Sequence, residues 1–370
     1  MASRPDEIID LGVGQPDFPT PRHVKEAGKR AIDEDYTRYT PQPGFDDLRE
    51  AVARKFEVEN QLRVSPDQVV VSCGAKYSLF QILQCIVEPG DEVLLLSPYW
   101  FAYPMQVTLA GGVPVILPTR EEQRFHPDVD AIRAAVTGAT KAIVINSPCN
   151  PTGAVYRREV LAELAHLAVE RDLLVIADEV YEKMLYDGAE HVSIGSLNAE
   201  IASRTATVNS VSKTHSMTGW RIGYAALPGK LAEEVTELQS YSTSGPCAIA
   251  QRAALAALTN DSSHVVAMVT EYAERRRYLL DRLAPLPELS CRAPEGTFYL
   301  FLNISAVCGR KIGGRQITGS ADFARMLLEE AGVKVISGEG FGSARHVRVS
   351  FAASMQALEE GMDRMERLLG

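Results

Sequence analysis

The run Asn209-Ser-Val-Ser-Lys213-Thr-His-Ser-Met-Thr-Gly-Trp-Arg221-Ile-Gly-Tyr224 follows an apolar stretch, Thr205-Ala-Thr-Val-Asn209, and changes abruptly from buried character to chemistry. It offers an amine, several hydroxyls and, eight residues beyond the lysine, a guanidinium. A lysine amine can form a Schiff base with a carbonyl, and hydroxyls with a guanidinium fork suit a phosphate-sized anion. On its own, Ser210-x-x-Lys213 also fits the Ser/Lys pairs of hydrolases, or a plain surface.

Working outward, the strand before this run is one of several. Val69-Val-Val-Ser72, Glu92-Val-Leu-Leu-Leu96, Ala142-Ile-Val-Ile-Asn146 and Leu173-Leu-Val-Ile-Ala177 are continuous apolar runs of strand length. Between them lie stretches such as Arg157 to Arg171, where Val160, Leu161, Leu164, Leu167 and Ala168 recur at helical spacing. Alternating strands and helices predict an α/β fold with a mostly parallel sheet covered on both faces. Ligands of such sheets bind beyond the carboxyl ends of the strands, so polar residues closing those strands are the candidates for function.

Two more strands end that way. Val175-Ile-Ala-Asp178-Glu-Val-Tyr181 closes on a carboxylate with a tyrosine three residues on. Buried, that aspartate needs a partner, and a pyridinium nitrogen would serve as well as the cap of a following helix. Asn146-Ser-Pro-Cys-Asn150-Pro-Thr-Gly153 closes on an amide and a tight turn, which by itself is equally a turn with a self-bonded asparagine.

After about residue 260 the pattern changes to a long charged helix near Val265 to Leu283, short strands near Thr297 to Leu302 and His346 to Phe351, and a last helix from Met355. These predict a second, smaller α+β unit. Val307 to Ser320, with four glycines and three basic residues, reads as a mobile loop.

Composition bounds the function. The chain has 370 residues, 46% hydrophobic and 23% charged, enough for a large domain with a satellite. Its net charge of -10, with Lys and Arg dispersed, offers no basic face for nucleic acid or an anionic membrane. No apolar run spans a bilayer, and Met-Ala-Ser-Arg-Pro-Asp-Glu has no signal-peptide core, so a cytoplasmic protein is expected. Six widely spaced cysteines without a C-x-x-C are expected to be reduced thiols.

Taken together, the motifs resemble the class I and II aminotransferases of pyridoxal-phosphate (PLP) fold type I, in particular the bacterial aspartate aminotransferase subgroup. The likeness runs in order through Gly14-Gln-Pro-Asp-Phe18, Tyr36-Thr-Arg-Tyr-Thr-Pro41 with Gly44, Cys73-Gly-Ala-Lys76, Ser97-Pro-Tyr-Trp100, Asn150-Pro-Thr-Gly153, Asp178-Glu-Val-Tyr181, Ser210-x-x-Lys213, Gly219-Trp-Arg221-Ile-Gly-Tyr224 and Arg348-Val-Ser-Phe351. It implies a large PLP-binding domain over 41–260 and a small domain made of 1–40 with 261–370. It implies a homodimer whose active sites are shared, acting on an amino acid and a 2-oxo acid by a ping-pong mechanism.

The resemblance also implies residue roles. Lys213 would bind pyridoxal 5′-phosphate covalently and shuttle protons. Asp178 would pair with the pyridine nitrogen, Asn150 and Tyr181 with the ring oxygen, and Trp100 would stack on the ring. Gly74, Ala75, Ser210, Arg221 and, from the second subunit, Tyr39 would hold the phosphate. Arg348 and Gly14 would bind the α-carboxylate, and Lys76 would meet the distal carboxylate of a dicarboxylic substrate or serve as a further phosphate contact. His215 is expected to be a packed or surface histidine without a role. Relatives carry a further stretch before the Gly14 motif that helps cover the site; either the start is trimmed here or the enzyme closes differently, and loss of such a cover would admit water and broaden specificity. The same fold also supports lyase and cyclising chemistry, the alternative reading.

Overall fold

The computed structural model describes residues 8–369. The opening heptapeptide read above, and with it the first seven residues of the expected N-terminal arm, lie outside these. Each expected strand forms where the apolar runs stand. Seven strands make one sheet in the order Val69–Ser72, Gly223–Ala226, Thr205–Ser210, Leu174–Asp178, Thr140–Asn146, Glu92–Ser97, Val113–Pro118. Gly223–Ala226 runs antiparallel to both its neighbours and the other pairings are parallel. Val175, Ile176, Val208 and Val144 are buried on a sheet whose two faces are covered by separate apolar clusters, which is why these strands read as unbroken apolar runs.

A smaller antiparallel sheet of Ile336–Ser337, His346–Ser350 and Tyr299–Asn303 packs into another core, shared with the long helix Ser263–Leu283 and the last helix Met355–Leu369. The two expected strands and the two expected helices thus come together in one α+β unit. Ile9–Asp10 pairs with Val333–Lys334, and the backbone N–H of Ser350 donates to the carbonyl of Leu11 at 2.7 Å. These bonds carry the chain from Leu11 to Gly14 alongside Arg348.

Two expectations change. The segment read as a mobile loop contains a small hairpin, Lys311–Ile312 against Arg315–Gln316, because Ile312 and Ile317 are buried and anchor it. Two-residue rungs are too short to leave a periodic signal. The helix Arg22–Asp33, expected with the small unit, packs on Ala248–Thr259, and its Val24 shares a core with Val69, Val71 and Tyr224 of the large sheet. All six cysteines are free, as expected. Among the described residues no helix is long and apolar enough to cross a membrane.

Candidate active site

Three parallel strands end on Asn146, Asp178 and Ser210, and a cavity of about 420 Å³ opens at those ends. Asp178 is buried; one carboxylate oxygen accepts the Tyr103 hydroxyl at 2.7 Å and the other the Val180 N–H at 3.4 Å. Burial raises its pKa to about 6, partly opposed by the Tyr103 hydrogen bond. A cationic partner would favour its charged form. The backbone of the same strand end is fixed from the side, since Asn146 Nδ2 donates to the Asp178 carbonyl at 2.9 Å and Asn146 Oδ1 accepts the Asn150 N–H at 2.8 Å. The Asn146 to Gly153 turn is therefore bonded by Asn146, while the side chain of Asn150 is turned to the cavity.

Lys213 lies in the short helix Val211–Thr214, capped by the Ser210 hydroxyl, and its amine donates to the carbonyl of Gly14. Burial, reinforced by Arg348 and Arg221, lowers its pKa to about 8. An amine at that pKa has an accessible neutral form near physiological pH, as a nucleophile requires. Arg348 is buried: Nη1 donates to Asn150 Oδ1 at 2.9 Å and Nη2 to the Gly12 carbonyl at 3.0 Å, while its Nε is buried without a hydrogen-bond partner. The guanidinium stands 4.2 Å from the centroid of Tyr299. Trp100 meets Tyr103 edge to face at 5.5 Å, and the Lys76 amine sits 4.7 Å from the centroid of Trp100.

At the other end of the cavity the helix Ala75–Ile86 begins. The Gly74 N–H is committed to the Ser72 carbonyl at 2.7 Å, so the donors left for an anion are the first N–H groups of the helix itself, those of Ala75 and Lys76. Arg221 crosses this helix start, donating to the carbonyls of Thr218 at 2.8 Å and Cys73 at 3.3 Å. It can do so only because Gly74 has no side chain: a Cβ there would stand 2.3 Å from Arg221 Nη2, and the backbone holds φ +91°.

The cavity therefore assembles Gly14, Ala75, Lys76, Trp100, Asn150, Asp178, Tyr181, Ser210, Lys213, Arg221 and Arg348 from distant parts of the chain. Gly74 lies behind the wall, and Tyr39 stands away from it, 94% exposed. His215 is buried, with Nδ1 3.0 Å from His264 Nε2, as a packed histidine is expected to be. Sequence reading missed Tyr103, the partner of Asp178, and Tyr299, whose hydroxyl lies 2.9 Å from that of Tyr181. Only the spacing of Tyr103 three residues after Trp100 offered a hint.

The charge on the walls is lopsided. Lys76, Lys213, Arg221 and Arg348 face a single carboxylate, Asp178, and among the described residues none of these cations is in an ion pair. Arg348 is buried and Lys213 partly so, whereas Lys76 and Arg221 reach the cavity from its exposed rim; positive charge gathered this way without counterions suits anionic ligands. A phosphate fits the helix start with Arg221 and Ser210, an aromatic ring fits beside Trp100, and a ring nitrogen fits the buried Asp178. The residues present fit pyridoxal 5′-phosphate.

Fold and cavity together define a PLP-dependent enzyme of fold type I. The family model for aminotransferase class I and II matches residues 6–365. The chain is 45% identical over 367 residues to the aspartate/prephenate aminotransferase of Thermus thermophilus, covering 98% of this chain and 91% of that protein. It is 41% identical over 369 residues to the aspartate aminotransferase of Bacillus sp. strain YM-2, covering 100% and 93%. The structure of the Thermus thermophilus aspartate aminotransferase with maleate superposes with a TM-score of 0.93 at 44% identity, covering 98% and 92%. That of the aromatic aminotransferase of Pyrococcus horikoshii OT3 gives 0.93 at 42%, covering 98% and 95%. The chain belongs to the class I and II aminotransferases, and it is a transferase of nitrogenous groups that depends on pyridoxal phosphate.

Proposed function

We propose that this protein moves the amino group of a dicarboxylic L-amino acid, aspartate first among them, to a 2-oxo acid such as 2-oxoglutarate by a ping-pong mechanism. The observation that carries this reading is the cavity's excess of cations, with Arg348 and Lys76 left over once one phosphate is provided for by Arg221 and the helix start. Two left-over cations match the two carboxylates of one substrate. Relatives at 41% and 45% identity carry aspartate in their names.

Bound in this cavity, the cofactor supplies a protonated ring that draws negative charge from the substrate α-carbon. Asp178 holds the proton on the ring nitrogen, and burial beside Tyr103 keeps water from competing for it. Asn150 and Tyr181 orient the ring through its hydroxyl oxygen. Trp100 fixes the tilt of the ring by contact with its face. Lys213 would be the covalent anchor of the cofactor and, as a free amine beside the substrate, would carry the proton to and from the α-carbon. Arg348, held by Asn150 and the Gly12 carbonyl, binds the α-carboxylate through a planar fork, with Gly14 beside it. Lys76, on its aromatic seat, takes the distal carboxylate.

We further infer a cytoplasmic homodimer, with Tyr39 completing the phosphate site of the second subunit; its exposure and distance from its own cavity support that role. Within each chain we place the large domain at 41–260 and the small one at 261–370 with the N-terminal arm 1–40, of which Ile9–Asp10 pairs with the small unit while the helix Arg22–Asp33 packs on the large one.

The test is a visible absorption titration of the purified protein with a panel of amino acids, followed by 2-oxoglutarate. Aspartate bleaching the band of the lysine-bound cofactor, and oxoglutarate restoring it, is the expected result. A protein that holds the cofactor but shows no such half-reaction belongs to lyase or cyclising chemistry instead.

A further inference from the structure

Within Asp178-Glu179-Val180-Tyr181-Glu182 the side chains divide between two sides. Asp178 and Tyr181 line the active-site cavity, whereas Glu179 and Glu182 are buried against the C-terminal end of the helix Asp46–Asn60. There Glu182 Oε1 accepts the amine of Lys55, and Oε2 accepts Asn60 Nδ2 at 2.6 Å. The same Asn60 amide lies 3.2 Å from Glu179 Oε2, and its Oδ1 accepts Lys55 at 2.7 Å. His191 Nε2 stands 3.1 Å from Glu179 Oε2. Lys55, Asn60, Glu179 and Glu182 are all more than nine-tenths buried, and so is the side chain of His191.

Each ionisable group in this cluster has a partner of complementary charge, and the neutral Asn60 amide bonds three of them. Burial alone would raise the Glu182 carboxyl, but Lys55, His191 and Asn60 hold it at about 2; Glu179 in turn raises His191 against the effect of burial. Lys55, His191 and Asn60 therefore favour the carboxylate form of Glu182.

Buried ion pairs are a poor source of stability, since well-packed apolar side chains of the same volume do as well or better. What directional bonds add is a fixed position. Apolar packing tolerates a slide along the contact, whereas Glu182 can satisfy both Lys55 and Asn60 in only one placement of its backbone. That backbone lies one residue from Tyr181 and four from Asp178, in a turn closed by Glu182 N–H to the Glu179 carbonyl at 3.0 Å and by Met184 N–H to the Tyr181 carbonyl at 2.8 Å.

We propose that Glu182, clamped by Lys55 and Asn60, is a positioning residue for the transamination reaction, locking the 178–182 turn so that Asp178 and Tyr181 meet the cofactor ring in register. The proposal rests on the functional reading above. Glu182 touches neither cofactor nor substrate and acts only through the turn.

The decisive variant is Glu182→Gln, which keeps the shape and removes the charge-assisted bond to Lys55. Three quantities are read: the pH midpoint of the cofactor's visible band, the affinity of cofactor-free protein for pyridoxal phosphate by fluorescence titration, and kcat and KM for the amino donor. The expected result is a displaced midpoint, weaker cofactor binding and a kcat lowered about ten- to a hundredfold, because misplacement at a distance from the chemistry is enough to slow it. KM should stay within about twofold, since Arg348 and Lys76 are untouched. An unchanged midpoint and kcat overturn the proposal, whatever happens to the melting temperature. Should Glu182→Gln fail to fold, the double variant Lys55→Met with Glu182→Leu removes both charges while filling the core, and is read by the same criteria. A wild-type protein without the visible band or the amino-acid half-reaction would instead overturn the functional reading itself.

Discussion

Two cavities of nearly equal size flank the Ser210 to Lys213 segment, and they differ in charge. The one that holds Lys213 and Asp178 measures about 420 Å³ and carries four cations against one carboxylate, none of the cations ion-paired among the described residues. The other, about 410 Å³, is walled by Val265, Val269 and Leu258 and by Lys55, Glu59, Glu182 and Lys183. There every charge is matched: Lys55 with Glu182, and Lys183 with Glu59 at 3.0 Å. Its histidine, His215, is kept neutral because burial, with His264 and His23 nearby, lowers its pKa to about 3. Volume alone therefore does not mark a site. An unbalanced cluster of charge does, most of all at the buried Arg348, where the desolvated guanidinium bears a cost that an anionic ligand can offset.

The comparison can be broken most severely at Lys213. Lys213→Ala should remove the visible band and lower kcat by about ten-thousandfold or more, as expected when one residue is both covalent anchor and proton carrier; single-turnover spectra check it. Arg348→Ala should lower kcat/KM for every α-amino acid alike by roughly a hundredfold, about 3 kcal/mol, the cost of losing a desolvated charge pair. Unequal losses across a donor panel would move the α-carboxylate elsewhere.

Asp178 sharpens the point through stability. Its pKa in the cofactor-free protein is raised to about 6, so its favourable contribution is complete below the ordinary carboxylate pKa and is lost as pH rises through 6. The strain amounts to about 3 kcal/mol at pH 8. Cofactor-free Asp178→Asn should consequently melt higher than wild type at pH 8 and show little gain at pH 4, which calorimetry at the two pH values will read. At Lys76 the effect should be smaller and selective: Lys76→Ala weakens aspartate and glutamate by about tenfold and leaves monocarboxylic donors nearly untouched. An equal loss for all donors would assign Lys76 to the phosphate. In the second cavity, Lys183→Ala should change stability by less than about 1 kcal/mol and leave kinetics alone, since its pair with Glu59 is solvated.

Much of this was legible in order along the chain. Each polar residue that closes an apolar strand, Asn146, Asp178 and Ser210, is where the cavity forms, because a parallel sheet aligns the carboxyl ends of its strands. The hairpin within 307–320 was not legible, since its anchors Ile312 and Ile317 are isolated apolar residues in a glycine-rich run. The seat of Arg22–Asp33 on Ala248–Thr259 was equally hidden, as an amphipathic helix states which face is apolar but not what will cover it.

By itself the sequence determined the α/β alternation and the family motifs, and singled out Lys213 as the candidate lysine, because strand and helix periods and the polar endings are local properties. Only the tertiary structure decided that Tyr103 would meet Asp178 across 75 residues, Tyr181 would meet Tyr299 across 118, and Glu182 would be gripped by Lys55 across 127. Such pairings leave no periodic trace in either partner. They follow from packing, which brings together whichever polar groups would otherwise be buried alone.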